Sequence, residues 1–220
     1  MSAQRVNIGR ILGTPVPMLL PPEGAVHVLI VGEAPGPRGA DKSGVPFFGD
    51  AAGKHLYGAL QRLGAVVLPP EVDTLPWDGA AFTSAGLAPI AHGVALGNAF
   101  DRCPSDDGAS FRAPLRSELE SPRNLSRLNR DLDQLMTHGL KGIVTLGRVA
   151  TRTVDVLLTQ NPRPALARRA LPHPSAQGLL SMAPDRGKGA KMAALQEVWM
   201  VRCQFAIMQA GYPAPPEALS

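Results

Sequence analysis

The chain has 220 residues, 45% of them hydrophobic and 18% charged, which suits one globular domain spanning residues 1–220. Its 23 glycines and 22 prolines are scattered without a repeat, so they read as shaped loops rather than as collagen or a disordered tail. A net charge of +4 permits a polyanionic partner without demanding one, and 5% aromatic content excludes an extended stacking platform. The two cysteines, Cys103 and Cys203, fit no zinc or haem spacing, so reduced thiols and a cytoplasmic location are expected. Pro15 and Pro17 interrupt the first twenty residues, and neither a signal peptide nor a membrane association is expected.

In chain order, residues 1–24 are a polar, proline-marked lead-in. Val26 to Val31 is a β-branched run that reads as a buried parallel strand ending at Gly32. From Asp50 onward Leu56, Leu60 and Leu63 recur at helical spacing, with Asp50 as N-cap and Gly64 as stop. Residues 65–92 carry four prolines, resist assignment and read as an insertion over the site. Val94 to Phe100 is a second strand, with Asn98 at its end. A helix is expected from Ser121 or Pro122, with Leu125, Leu128, Leu132 and Leu135 on one stripe. Gly142 to Gly147 is a third strand, followed by a helix over about Val149 to Leu158. Asn161 to Ala170 reads as a Pro/Arg loop, and a last helix covers about Gly189 to Met208. Alternating strand, loop and helix predict a three-layer α/β/α sandwich with a short, mostly parallel central sheet. Sites in such sheets gather at the carboxyl ends of the strands, where Gly32, Asn98 and His173 all fall.

Three stretches carry chemistry: Gly32-Glu33-Ala34-Pro35-Gly36 running on to Gly44-Val45-Pro46-Phe47-Phe48-Gly49, then Asn98, then His173-Pro174-Ser175. Singly, each has an ordinary reading: a tight strand-to-helix turn, a turn-forming Asn, and a structural loop His. The first lacks both the P-loop and the dinucleotide-binding glycine patterns. Their order and spacing together resemble the uracil-DNA glycosylase superfamily, most of all its iron–sulfur branch, over most of the core.

That resemblance implies a monofunctional glycosylase acting as a monomer on uracil-containing DNA and releasing free uracil. It implies that Phe47 stacks on the flipped base, that Asn98 reads the base edge, and that backbone amides of the Gly32 loop hold carbonyls. His173 would stabilise the departing base, and Ser175 would contact a phosphate. Arg163, Arg168 and Arg169, just before His173, read either as a solvated loop or as a phosphate clamp; Arg148 and Arg152 could do the same. Gln177, Leu179 and Leu180 read as a wedge or as ordinary packing.

Two departures matter. The iron–sulfur relatives use four cysteines and this chain has two, so no metal or redox cofactor is expected. The archetypal members carry a catalytic Asp where this chain has Ala34, which leaves Asp41 or Glu33 for the water or the sugar cation. Two alternatives stay open: action on another deaminated or oxidised base, and a DNA-binding module without turnover.

Overall fold

A computed structural model describes residues 11–105, 111–184 and 189–213. Its centre is a parallel sheet of four strands, β2 (Val28–Gly32), β5 (Val94–Asn98), β7 (Gly142–Leu146) and β8 (Ala167–Leu171), in the order β5-β2-β7-β8. Every residue of the first three is buried, as expected of parallel strands covered on both faces. Period-two alternation sorts their side chains. Val28, Ile30, Leu96 and Val144 enter one core with α2 (Ala51–Arg62) and α8 (Met192–Gln209). Leu29, Val31, Ala95 and Ile143 enter the other with α5 (Pro122–Thr137) and α6 (Arg148–Gln160). The three-layer α/β/α sandwich is therefore the observed architecture.

The helices follow their sequence signals. In α2, Leu56 and Leu60 are fully buried, and Gly64 takes φ +68° just past the C-cap, a conformation glycine adopts without a steric penalty. In α5 all four expected leucines are buried, and the Ser121 hydroxyl accepts the Asn124 N–H as N-cap.

Two expectations need correction. Ala167–Leu171 is not loop but the edge strand β8, in register with β7 from Gly142↔Ala167 to Leu146↔Leu171. Its Ala-Arg-Arg-Ala composition hides it, because an edge strand is only half covered and charged side chains blunt its open side. Residues 65–92 form a small ribbon of β3 (Val66–Val67) with β4 (Ile90–Ala91), plus α3 (Gly79–Ser84), and none of them lines the cavity described below. This segment buttresses the first loop from behind: Phe82 stacks on Phe48 at 4.3 Å, and the Trp77 indole donates to the Asp50 carbonyl at 2.7 Å. A second short ribbon, β1 (Ile11–Leu12) with β6 (Pro104–Ser105), and a bridge from Leu19 to Leu96 run the N-terminal strap along β5. None of the described helices is long and apolar enough to cross a membrane.

Candidate active site

The carboxyl ends of the strands open into a cavity of about 1920 Å³, lined by the loops after β2, β7 and β8 and by the exposed face of α6. Gly32 and Asn98 are register partners at the ends of adjacent strands. A Cβ on Gly32 would lie 2.5 Å from the Phe47 ring and 2.6 Å from Asn98 Oδ1, so only glycine lets these groups converge. Asn98 is 6% exposed, and both its Oδ1 and its Nδ2 are buried without a hydrogen-bond partner. A buried amide in that state costs folding energy and signals a ligand that would pair with it. Phe47 lines the cavity whereas Asn98 and Gly32 do not, so the amide is closed off from the cavity with the Phe47 ring beside it.

The backbone that aims this amide is held by residues sequence reasoning missed. Arg127 on α5 donates to the carbonyls of Asn98 and Ala99 at 3.2 and 3.0 Å, and Asn124 Nδ2 donates to Ala99 at 2.9 Å. Arg127 is itself braced by Asp101 and Asp131. Their only sequence signal was polar residues recurring on the otherwise apolar side of an amphipathic helix.

Phe47 is the one non-glycine described residue with positive φ, +65°. Such a conformation costs roughly 1–3 kcal/mol and persists only where the surroundings dictate it. Here they do. The fully buried Tyr57 hydroxyl donates to Pro46 at 2.8 Å, the Ser43 hydroxyl donates to Phe48 at 2.7 Å, and Asp50 N–H donates to Phe47 at 3.1 Å.

The carboxylates rearrange the expectation. Asp41, on the one-turn helix α1 (Ala40–Ser43), does not line the cavity; its carboxylate lies against Gly13 of the N-terminal strap and 3.3 Å from Lys42. Glu33 does line it, half-buried, and burial raises its pKa. Asp50, missed as a site residue, lines it too. It occupies the N-cap position of α2 but gives no cap hydrogen bond. Its carboxylate turns back to the Gly36 loop and accepts from the backbone of Ala40, Gly36 and Gly39. Burial outweighs those bonds and pushes its pKa up to about 6.

His173 follows β8. A Cβ on Gly147, which sits at φ +89°, would lie 3.1 Å from the His173 Cβ, so glycine there leaves the room for this close approach. Ser175 N–H donates to His173 Nδ1 at 3.2 Å, so the neutral ring carries its proton on Nε2. Burial lowers the His173 pKa and favours that neutral form. Ser175 caps α7 (Ala176–Leu180) by accepting from Gly178 N–H, and the Trp199 indole donates to Pro172 at 2.8 Å. The neighbouring Gly178 sits so close that a Cβ would meet the His173 carbonyl.

The expected outer contacts divide. Leu179 lines the cavity but is 1% exposed and packed into the core, whereas Gln177 and Leu180 are more exposed. Arg163, Arg168 and Arg169 do not line the cavity. Arg163 bonds Asp133 and Asn129 on α5, while Arg168 and Arg169, on opposite faces of β8, reach Asp155 on α6 and Gln209 on α8. The cations on the cavity wall are Arg38 and Arg148, exposed and without an ion-pair partner among the described residues, and Arg152, 3.6 Å from Glu120. His55, on the first turns of α2, completes this wall; burial and Lys54 lower its pKa. No cluster of three or more metal-ligating side chains occurs among the described residues.

Comparison with known proteins agrees with this architecture. A family model described as the uracil DNA glycosylase superfamily matches residues 20–197. A protein of Mycobacterium leprae named type-5 uracil-DNA glycosylase is 50% identical over 47 residues. That stretch is 21% of this chain and 20% of the relative, so the chain matches about a fifth of that protein's length.

Proposed function

The chain belongs to the uracil DNA glycosylase superfamily, and from that premise we propose that it is a monofunctional glycosylase that excises uracil from DNA. One observation carries the reading: the sealed carboxamide of Asn98, with both polar atoms unpartnered, beside the aromatic ring of Phe47. Uracil offers an acceptor at O4 and a donor at N3–H, which satisfy Nδ2 and Oδ1 together. Cytosine offers the reverse pattern and would leave two buried groups unpaired.

The target nucleotide must leave the helix stack to reach such a pocket. The Phe47 ring would move from over Gly32 to stack on the base. The bond between base N1 and sugar C1′ breaks with its electron pair moving onto the base, leaving an oxocarbenium-like sugar and a uracil anion. His173, neutral and carrying its proton on Nε2, donates a hydrogen bond to the charge growing on O2. Water then adds to C1′ and gives its proton to a carboxylate. Asp50 and Glu33 are the carboxylates on the cavity wall, and Asp50, with its pKa near 6, suits a base at neutral pH. Arg38, Arg148 and Arg152 meet the phosphates, sequence-independent contacts that set register.

A second reading, on deaminated purines, is favoured by the same amide and the size of the cavity. Hypoxanthine and xanthine present an acceptor and an N–H donor in the same order as uracil.

The test is single-turnover incubation with labelled strands holding one uracil, cytosine, thymine, hypoxanthine or xanthine, followed by alkali. Uracil-dependent scission is expected, with cytosine untouched. Purine scission alone would replace the substrate, and tight binding without scission of any strand would make the protein a binding module.

A further inference from the structure

The wall of the cavity holds one more ring that the reading above does not use. Phe111 is 43% exposed and is the one large exposed hydrophobic among the described residues that lines the cavity. The other phenyl ring on that wall, Phe47, is 5% exposed. Phe111 belongs to none of the ring contacts that knit Phe48, Tyr57, Trp77 and Phe82 together inside the fold. Its backbone is nonetheless anchored, because the next residue, Arg112, donates its N–H to Pro104 on β6 at 2.8 Å, and β6 is paired with β1. An exposed ring on fixed backbone keeps apolar surface in water without the freedom to fold it away.

Its surroundings say what would cover it. Arg38 and Arg148 stand on the same cavity wall, exposed and without ion-pair partners among the described residues. A strand whose phosphates meet those cations runs along the cavity that the ring also lines, so one of its bases can lie against the ring. A side chain with less than half its surface free offers a face or an edge rather than a protruding wedge. We propose that Phe111 is a stacking shelf for the base adjacent to the target nucleotide, and that it fixes the flanking strand while the target is held below. The proposal rests on the glycosylase reading for what the target is, but the stacking itself depends only on a bound strand. Base–aromatic stacking tolerates any sequence, so the shelf adds affinity without adding a sequence preference.

The experiment is a double-mutant cycle on binding, using wild type and Phe111→Ala. The probes are single strands holding 2′-fluoro-deoxyuridine, whose electron-withdrawing fluorine disfavours the sugar cation and so prevents cleavage. Each is made with normal neighbours, or with a baseless spacer on the 5′ or the 3′ side. Removing the ring is expected to weaken binding to the normal strand roughly tenfold. Removing the base on one side should cost the wild type the same factor and cost Phe111→Ala almost nothing further. Phe111→Trp should bind at least as tightly as wild type. Additive losses on both sides, or no loss on removing the ring, would overturn the proposal. Failure of the wild type to cleave an ordinary uracil strand would instead count against the glycosylase reading, since the cycle is read by affinity alone.

Discussion

The loop after β2 and the loop after β8 face one cavity and are built in opposite ways. The first, from Gly32 to Asp50, is tied from many directions: by Tyr57 and Asp50 N–H around Phe47, by Ser43 to Phe48, and by Trp77 from the segment behind. It can therefore hold Phe47 at a positive φ and Asp50 as a half-buried carboxylate bonded to backbone N–H groups. The second, Pro172 to Ser175, hangs from an edge strand, with the Trp199 indole and the Ser175 N–H as its main ties. Under the proposed function, the first loop would supply a preorganised floor that recognises shape, and the second one donor set that stabilises charge. On that reading the tied backbone of the first loop holds its shape while only the Phe47 side chain swings, whereas the second needs only to aim one N–H.

The largest expected effect breaks the second side. His173→Ala removes the donor for the departing base and should lower the single-turnover rate on uracil roughly a hundredfold or more, with Tm nearly unchanged. Near-wild-type rates would end that assignment.

On the first side, Asp50→Asn should cost about a hundredfold in rate. It should also abolish a pH limb. With its pKa raised to about 6 from an ordinary 3.8, Asp50 ionises only as pH rises through about 6, so the wild-type rate should climb there and the variant rate should not. Stability runs the other way. The folded state holds this proton more tightly than the unfolded chain, so the contribution is complete below the ordinary value and is lost as pH rises towards 6. Urea midpoints of wild type and variant across pH 4 to 7 read the stability trend, and single-turnover rates over the same range read the rate limb.

The smallest effects sharpen the comparison. Trp199→Phe deletes one N–H donor to Pro172, worth about 1 kcal/mol, and should slow cleavage up to about fivefold by loosening the aim of His173. Trp77→Phe deletes a like bond behind the first loop but leaves several others, so it should lower Tm with less change in rate.

What the sequence disclosed follows the same division. Strands β2, β5 and β7 were legible because burial on both faces demands apolar, often β-branched runs. Strand β8 was not, since an edge strand tolerates Arg168 and Arg169 where a central one would not. The ribbon and α3 between residues 65 and 92 were unreadable because they are too short to carry a period; contacts such as Phe82 on Phe48 hold them. Gly32, Phe47, Asn98 and His173 stood out as motif residues, and the fold brings all four to the carboxyl edge of the sheet. Asp50 was placed correctly at the start of α2 yet read as a cap, because spacing shows where a residue stands and not which way its side chain turns. For the same reason the sequence did not show that the Asp41 carboxylate lies against Gly13 rather than on the cavity wall.

Whether the Asn98 amide is kept unpaired for a ligand is read out by Asn98→Leu. Leucine keeps the same number and branching of side-chain heavy atoms, with bulkier methyl ends, and needs no partner. Tm and the single-turnover rate on a uracil strand would be measured together. The account predicts an equal or higher Tm, because an unsatisfied buried amide costs about 1–3 kcal/mol, with the rate lower by a hundredfold or more. A large fall in Tm with the rate retained would contradict it, and would make Asn98 a structural residue.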